Sequence, residues 1–560
     1  MAKVVVLGIV VALFSSVTFD RASAASVQAP ATQCEALART NFSTIQDAPA
    51  EITAANWVAA KGDIPTQCEV AGYVSPQVGF RLGLPADWNG KFFETGCGGS
   101  CGDIGDFELS RRCGGPLLRG YACIAFDSGH VGEEVWALNN LQAQVDFGYR
   151  GAHVVALAGK AIVEHYYGRA PTYAYFCGCS TGGRMALVEA QRFPWDFNGI
   201  ISGAPWINDT DSAMNFVWAY RALRGQDGKP LLTRASLKLL HDAVLAKCDM
   251  DDGVKDGIIG NPTGCRFDPE ILSCKPGKND QCLSKMHIDA VKKVYAGPEN
   301  SKGERLYVSG PALGSEMGWV DEALDYIRSD GSVAGSEGWA LDYFRYMVMP
   351  PAGPRWQMTD FDFDRDYKRF SGGVQESLLN AANPDLRKFK TSGGKLLIYQ
   401  GWNDQSDLPQ MTIDYYETVT RTMGGRANAA EFARLFLVPG MLHCMGGDGA
   451  FAIDYLSYLE RWVEHGQPPD QVIGAHVDDS YLARLGGADN ATQSSDIGRS
   501  SDIGASDEVA RFVGALTLKI PLDADTPVVF RRPIYPYPTR AKYKGSGDPN
   551  SADNFVPTDK

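Results

Sequence analysis

The chain has 560 residues, 44 % of them hydrophobic and 21 % charged, with a formal net charge of −14. That length exceeds one simple core, so a large domain carrying an insertion is expected. The composition is that of a globular protein, and the negative balance argues against nucleic acid or an anionic membrane as partner, since either would repel it.

Met1 to Ala24 reads as a secretory signal: Lys3 opens it, Val4 to Phe14 is apolar, and Ala22-Ser23-Ala24 is a small-residue cleavage site. The apolar run is too short to span a bilayer. A secreted or periplasmic location follows as the expectation. The 13 cysteines agree with it, because an oxidising compartment makes disulfides their default use.

From about residue 30 to 206 strands and helices alternate. Lys91-Phe92-Phe93 is a strand leading into a glycine-dense loop, Gly96 to Gly102. Gly120 to Phe126 is a second strand, Val154 to Tyr167 a helix, and Thr172 to Phe176 another strand. Asn198 to Gly203 follows. The alternation predicts a parallel sheet flanked by helices. From residue 207 to about 390 the pattern turns helical, irregular and aromatic, and then strands return at Lys395–Tyr399 and Leu435–Val438. An inserted domain, 207–390, between two halves of one α/β sheet domain, 25–206 and 391–560, explains this order. Residues 485–508, crowded with Gly, Asn, Ser and Asp, read as a surface loop.

Within this frame Gly178-Cys179-Ser180-Thr181-Gly182 lies between a strand and a helix-forming run, the context of a nucleophile elbow. A nucleophilic serine needs a base and a carboxylate that orients it, supplied in the order Ser, Asp/Glu, His on an α/β-hydrolase sheet. Of eight histidines, His443 alone follows both Ser180 and a strong apolar strand directly, so it is the expected base. Asp404, just after the Lys395–Tyr399 strand, is the favoured acid, with Asp407 as its rival. The oxyanion hole is expected from the Thr181 N–H together with Gly98 or Gly99. Cys179 adjoins the nucleophile and Cys444 the base, so a contact between Ser180 and His443 would let these two cysteines bridge.

Cys179-Ser180, Gly401-Trp402-Asn403-Asp404 and Val438 to Cys444, with the run Arg540 to Gly547, resemble the tannase and feruloyl esterase family. The resemblance implies an α/β-hydrolase core, an inserted lid at 207–390 and the Cys179–Cys444 disulfide. It also pairs Cys34 with Cys68, Cys248 with Cys265, and Cys274 with Cys282. The chain departs from the family pattern in two places. Gln405-Ser406-Asp407 stands where the family continues with Pro and apolar residues, and Tyr535 and Pro557 stand where it often carries a cysteine pair. Cys123 and Cys177 read as buried thiols, while two of Cys97, Cys101 and Cys113 are free to pair.

Asp249, Asp251, Asp252 and Asp256 crowd a loop with Gly253 and Gly257, a supply of hard oxygens suited to Ca²⁺. The resemblance makes this a structural calcium site in the lid, with Asp249, Asp252 and Asp256 as side-chain ligands and Val254 and Ile258 as carbonyl ligands. The expected activity is hydrolysis of carboxylic esters of small aromatic acids, feruloyl or galloyl, through an acyl-enzyme. The aromatic lid residues Trp319, Trp339, Phe344, Tyr346 and Trp356 would suit an apolar slot. Within the same family a terephthalate monoester is the alternative substrate. A peptidase and a non-catalytic, calcium-stabilised binding module are the rivals outside it.

Overall fold

The computed structural model describes residues 30–559 apart from 482–525 and short stretches at 62–63, 105, 133, 276–280, 321–325, 329–334, 350–352, 354, 372 and 479–480. The signal read at 1–24 and the loop read at 485–508 lie outside the described residues. Nine strands form one sheet. They are β1 (Ala50–Val58), β2 (Gln67–Val74), β3 (Val78–Pro85), β4 (Lys91–Thr95), β5 (Ala122–Phe126), β6 (Tyr173–Ser180), β7 (Gly199–Pro205), β8 (Lys395–Gly401) and β9 (Ala433–Val438). Their spatial order is β1-β2-β3-β5-β4-β6-β7-β8-β9.

From β5 to β9 every pairing is parallel. β5 and β7 are buried at every position, which is why they read as unbroken apolar runs. β1, β2 and β3 depart from the parallel expectation, pairing antiparallel with one another, and β3 pairs antiparallel with β5. The links 59–66 and 75–77 are too short to hold a crossover helix, so the strands must turn back. β1 alternates buried and exposed residues at its start, the mark of a sheet with one wet face.

Helices Gly151–Tyr167, Thr181–Arg192 and Pro409–Thr422 cover one face of the sheet and share a core with Phe92, Ile124, Phe176 and Ile398. Helices Asp106–Leu118 and Tyr455–His465 cover the other, around Phe93, Tyr175, Leu397 and Phe436. The segment between β7 and β8 holds helices and turns, with a hydrophobic cluster of its own built on Phe216, Leu240, Trp319 and Phe344. Trp319 and Phe344 are fully buried and Trp356 nearly so, so they pack this segment.

Arg184, on helix Thr181–Arg192, ties these bodies together. It is fully buried, donates to the carbonyls of Phe147, Gly148 and Leu379, and lies 3.5 Å from Asp209. Its guanidinium also sits over the Phe147 ring at 4.8 Å. Burial pushes the Asp209 carboxyl up to about 6 even with Arg184 beside it. Arg184→Met should lower the unfolding free energy by about 3–5 kcal/mol, since it strands a buried carboxylate and three carbonyls. Denaturant unfolding at neutral pH measures the loss. The loss should shrink as pH falls below 6, where Asp209 takes up a proton.

Candidate active site

The chain reverses direction at Ser180, the last residue of β6 and the N-cap of helix Thr181–Arg192. Its φ is +62° and ψ −123°, backbone that an L residue adopts only when its surroundings hold it there. The glycines around it are required by contact. A Cβ at Gly178 would come 2.5 Å from the Gly182 backbone, and one at Gly183 would come 2.2 Å from the Gly203 carbonyl oxygen. The Trp206 N–H donates to the Ser180 carbonyl at 3.2 Å and fixes the turn from the neighbouring strand.

Thr181 opens the helix, so its N–H has no intrahelical acceptor. Its hydroxyl donates to the Gly99 carbonyl at 2.7 Å, which brings the glycine loop against the elbow. At Gly98 and Gly99 an added Cβ would meet nothing within 4 Å, so both face open space, Gly99 against Thr181. Cys97 and Cys101 close this loop by a disulfide.

His443 and the carboxylates come from the loops after β9 and β8. His443 Nδ1 lies 3.0 Å from Asp404 Oδ2 and 3.5 Å from Asp407 Oδ2. Both carboxylates are fully buried, but their hydrogen bonding differs. Asp404 accepts from the Ser406 and Asp407 N–H groups and from Gln400 Nε2, each at 2.9 Å. Neither oxygen of Asp407 completes a well-aligned hydrogen bond, although the Ser180 hydroxyl faces it. Geometry therefore favours Asp404 over Asp407 as the partner of His443. Burial opposes charge on His443, but Asp404 and Asp407 together outweigh it and push the imidazole up to about 9. Gln400 was not foreseen. It donates to Asp404 and to the Asp407 carbonyl and accepts from Thr412, and its only trace in sequence is a polar residue ending the apolar Leu396–Tyr399 run.

Cys179 and Cys444 are joined, linking positions 265 residues apart, and Cys444 Sγ lies 3.5 Å from His443 Nε2. The pairs Cys34–Cys68, Cys248–Cys265 and Cys274–Cys282 are also present. Cys123 corrects an expectation: it bonds Cys113. Helix Asp106–Leu118 lies on the β5 face and brings Cys113 onto that strand, which the sequence reading, lacking this helix, could not supply. Cys177 is the buried thiol outside any disulfide.

Away from this cluster, Asp249 accepts from the Asp256 and Gly257 N–H groups, Asp252 from Val254, and Asp256 from Ile258. Burial first, then the charges of Asp256 and Asp249, push the Asp252 carboxyl up to about 6. Arg532 pairs with Asp256 at 2.7 Å. The set is all oxygen, the donor type of a hard cation such as Ca²⁺, although the three carboxylates do not close into one cluster here.

The family model described as "Tannase and feruloyl esterase" matches residues 63–557. The chain is 33% identical to mono(2-hydroxyethyl) terephthalate hydrolase of Piscinibacter sakaiensis, covering 92% of this chain and 89% of that protein. It is 31% identical to a probable feruloyl esterase of Arthroderma benhamiae, over 85% of this chain and 81% of that one. Among solved structures, feruloyl esterase B of Aspergillus oryzae aligns with a TM-score of 0.77 at 24% identity, covering 95% of this chain and all of that one. Tannin acyl hydrolase of Aspergillus niger aligns at 0.67 and 20% identity, over 92% and 93% of the two chains. No helix among the described residues is long and apolar enough to cross a membrane. The chain belongs to the tannase and feruloyl esterase family and is a carboxylic ester hydrolase.

Proposed function

We propose that this protein is a secreted or periplasmic serine esterase that cleaves esters of small aromatic acids, of feruloyl or galloyl type. The observation that carries this is the positive-φ Ser180 on its elbow, joined through Cys179–Cys444 to a histidine that holds Asp404 at 3.0 Å. Ser180 Oγ attacks the ester carbonyl while His443 takes its proton. Asp404 holds the imidazole in the tautomer that leaves Nε2 free to accept. The Thr181 N–H and the Gly98–Gly99 backbone receive the developing oxyanion. His443 returns the proton to the leaving alcohol, and water, activated by the same imidazole, hydrolyses the acyl-enzyme. Ser180 must turn from Asp407 toward His443 when substrate arrives, a tightening common to sites without ligand.

The segment 207–390 serves as the lid over this cleft, and the loop Asp249–Ile258 binds Ca²⁺ as a structural ion. Asp249, Asp252 and Asp256, with the Val254 and Ile258 carbonyls, would hold the ion and so pin that segment, away from the reacting atoms. A terephthalate monoester is the second reading, supported by the relative of that name at 33% identity. Rates on methyl ferulate, methyl gallate, chlorogenate and the terephthalate monoester, with a peptide as control, separate these substrates.

Ser180→Ala should lower kcat on the best ester by at least about 10³-fold with an unchanged circular-dichroism spectrum. Activity within about tenfold of wild type would refute the nucleophile. Replacing Cys179 and Cys444 together with alanine should lower stability by about 3–5 kcal/mol. The same change should reduce kcat about tenfold or more while KM moves little, since His443 loses its tie to the elbow. Chelation with EDTA should lower Tm, and added Ca²⁺ should restore it. At free calcium about 100 times Kd the restoration is about 2.7 kcal/mol. In Asp252→Asn the calcium-dependent part of the shift should shrink.

A further inference from the structure

Two carboxylates converge on one imidazole, one more than a serine triad uses. The ligand atoms of Asp404, Asp407 and His443 all lie within 4.8 Å of one another. Asp404 accepts three hydrogen bonds, from Gln400 Nε2 and from the Ser406 and Asp407 N–H groups. Asp407 is equally buried with no such donor. Of the groups facing it, Asp404 and Asp209 disfavour a second charge, while His443 and the Ser180 hydroxyl favour one without outweighing burial. Asp404 adjoins it on the same loop, Asp209 faces it from helix Asp209–Ala222 with Arg184 behind, and the hydroxyls of Tyr307 and Tyr326 approach from the segment above. Burial, before any charge effect, drives the Asp407 carboxyl well above its usual range.

One proton can occupy this group in two ways that leave its total charge the same. It can sit on His443 with both carboxylates ionised, or on Asp407 with a neutral imidazole. The first arrangement holds His443 at about 9, which leaves about one imidazole in a hundred able to act as a base near neutral pH.

We propose that Asp407 keeps its proton whenever His443 is neutral, so that a buried carboxylic acid stands beside the triad and Asp404 is the single negative charge on the imidazole. Asp407 then acts through His443: it sets how many protons the site holds and takes no part in bond making. Its hydroxyl can donate to the Ser180 oxygen that faces it. The inference rests on the triad assigned under Proposed function.

The test is the pH dependence of kcat/KM on an aromatic methyl ester for wild type and Asp407→Asn, with Ser180→Ala and Asp404→Asn as controls. Asparagine imitates a neutral acid, so the acid limb of Asp407→Asn should stay within about 0.3 pH unit of wild type. The infrared carbonyl band of a protonated carboxylic acid, present in wild type at neutral pH, should lose intensity in the variant. An acid limb displaced downward by about one unit or more would show that Asp407 was charged, and would overturn the proposal. So would an unchanged infrared band. Should Asp407→Asn fail to fold, Asp407→Leu, also neutral, gives the same comparison of limbs. Full activity in Ser180→Ala would fail the triad itself, and is told apart because it does not depend on the Asp407 comparison.

Discussion

Everything at the site depends on one strained residue. A non-glycine backbone held at φ +62° costs about 1–3 kcal/mol, and persists only where the surroundings leave no alternative. Here they leave none. β6 lies between β4 and β7 in the middle of the sheet, so the strand cannot shift. Gly178, Gly182 and Gly183 press backbone against backbone on the inside of the turn, where any side chain would collide. The Cys179–Cys444 bond then fixes the outer side of the turn to the histidine loop. The strain is thus set by the sheet, admitted by glycine and locked by a disulfide, and its result is a hydroxyl projected into the cleft.

Electrostatics decides what that hydroxyl meets. Two carboxylate charges at a separation below 5 Å repel by roughly 3–4 kcal/mol at an effective dielectric of about 20. Hydrogen bonds remove much of the cost of charge for Asp404 and almost none for Asp407. The loop Asn403–Asp407 wraps its own N–H groups around Asp404, and Gln400 completes the shell from the strand below. Asp407 has the same burial and the same imidazole within reach but lacks that shell. Identical side chains three residues apart are therefore given very different hydrogen-bond shells by backbone geometry.

This difference also explains which parts of the molecule were legible in the sequence. The elbow at Ser180, the approach of His443 to Asp404 and the parallel strands were readable because each rests on a local pattern: strand, glycine turn, helix, or an apolar run ending in a polar loop. Asp404 and Asp407 have the same letter and nearly the same position, and only the direction of neighbouring N–H groups separates them. The antiparallel start of the sheet was missed because β1 to β3 are joined by short turns that resemble ordinary loops in composition. Cys123 was misread for a related reason. Its partner rides on a helix containing Pro116, a residue that argues against a helix in sequence. At Trp319 and Phe344 aromatic content says that a segment has something to pack, not whether it also lines a cavity.

The elbow helix carries the consequence furthest from the chemistry. From Thr181 to Ala190 it is buried at every position, so its two charged residues have no water to face. Arg184 resolves this with backbone carbonyls and Asp209. Glu189 has no donor to either oxygen and lies with Asp196, Glu94 and the buried Lys160. Burial, with Asp196 and Glu94 adding to it, pushes its carboxyl well up, so the folded protein holds a proton there that the unfolded chain releases at ordinary carboxyl pH. The contribution of Glu189 to stability is therefore greatest below the unfolded carboxyl pKa, and it declines as pH rises toward the folded value. The helix behind Ser180 is thus held by a buried charge near its start, whose partner Asp209 gains a proton near pH 6, and by a retained proton near its end.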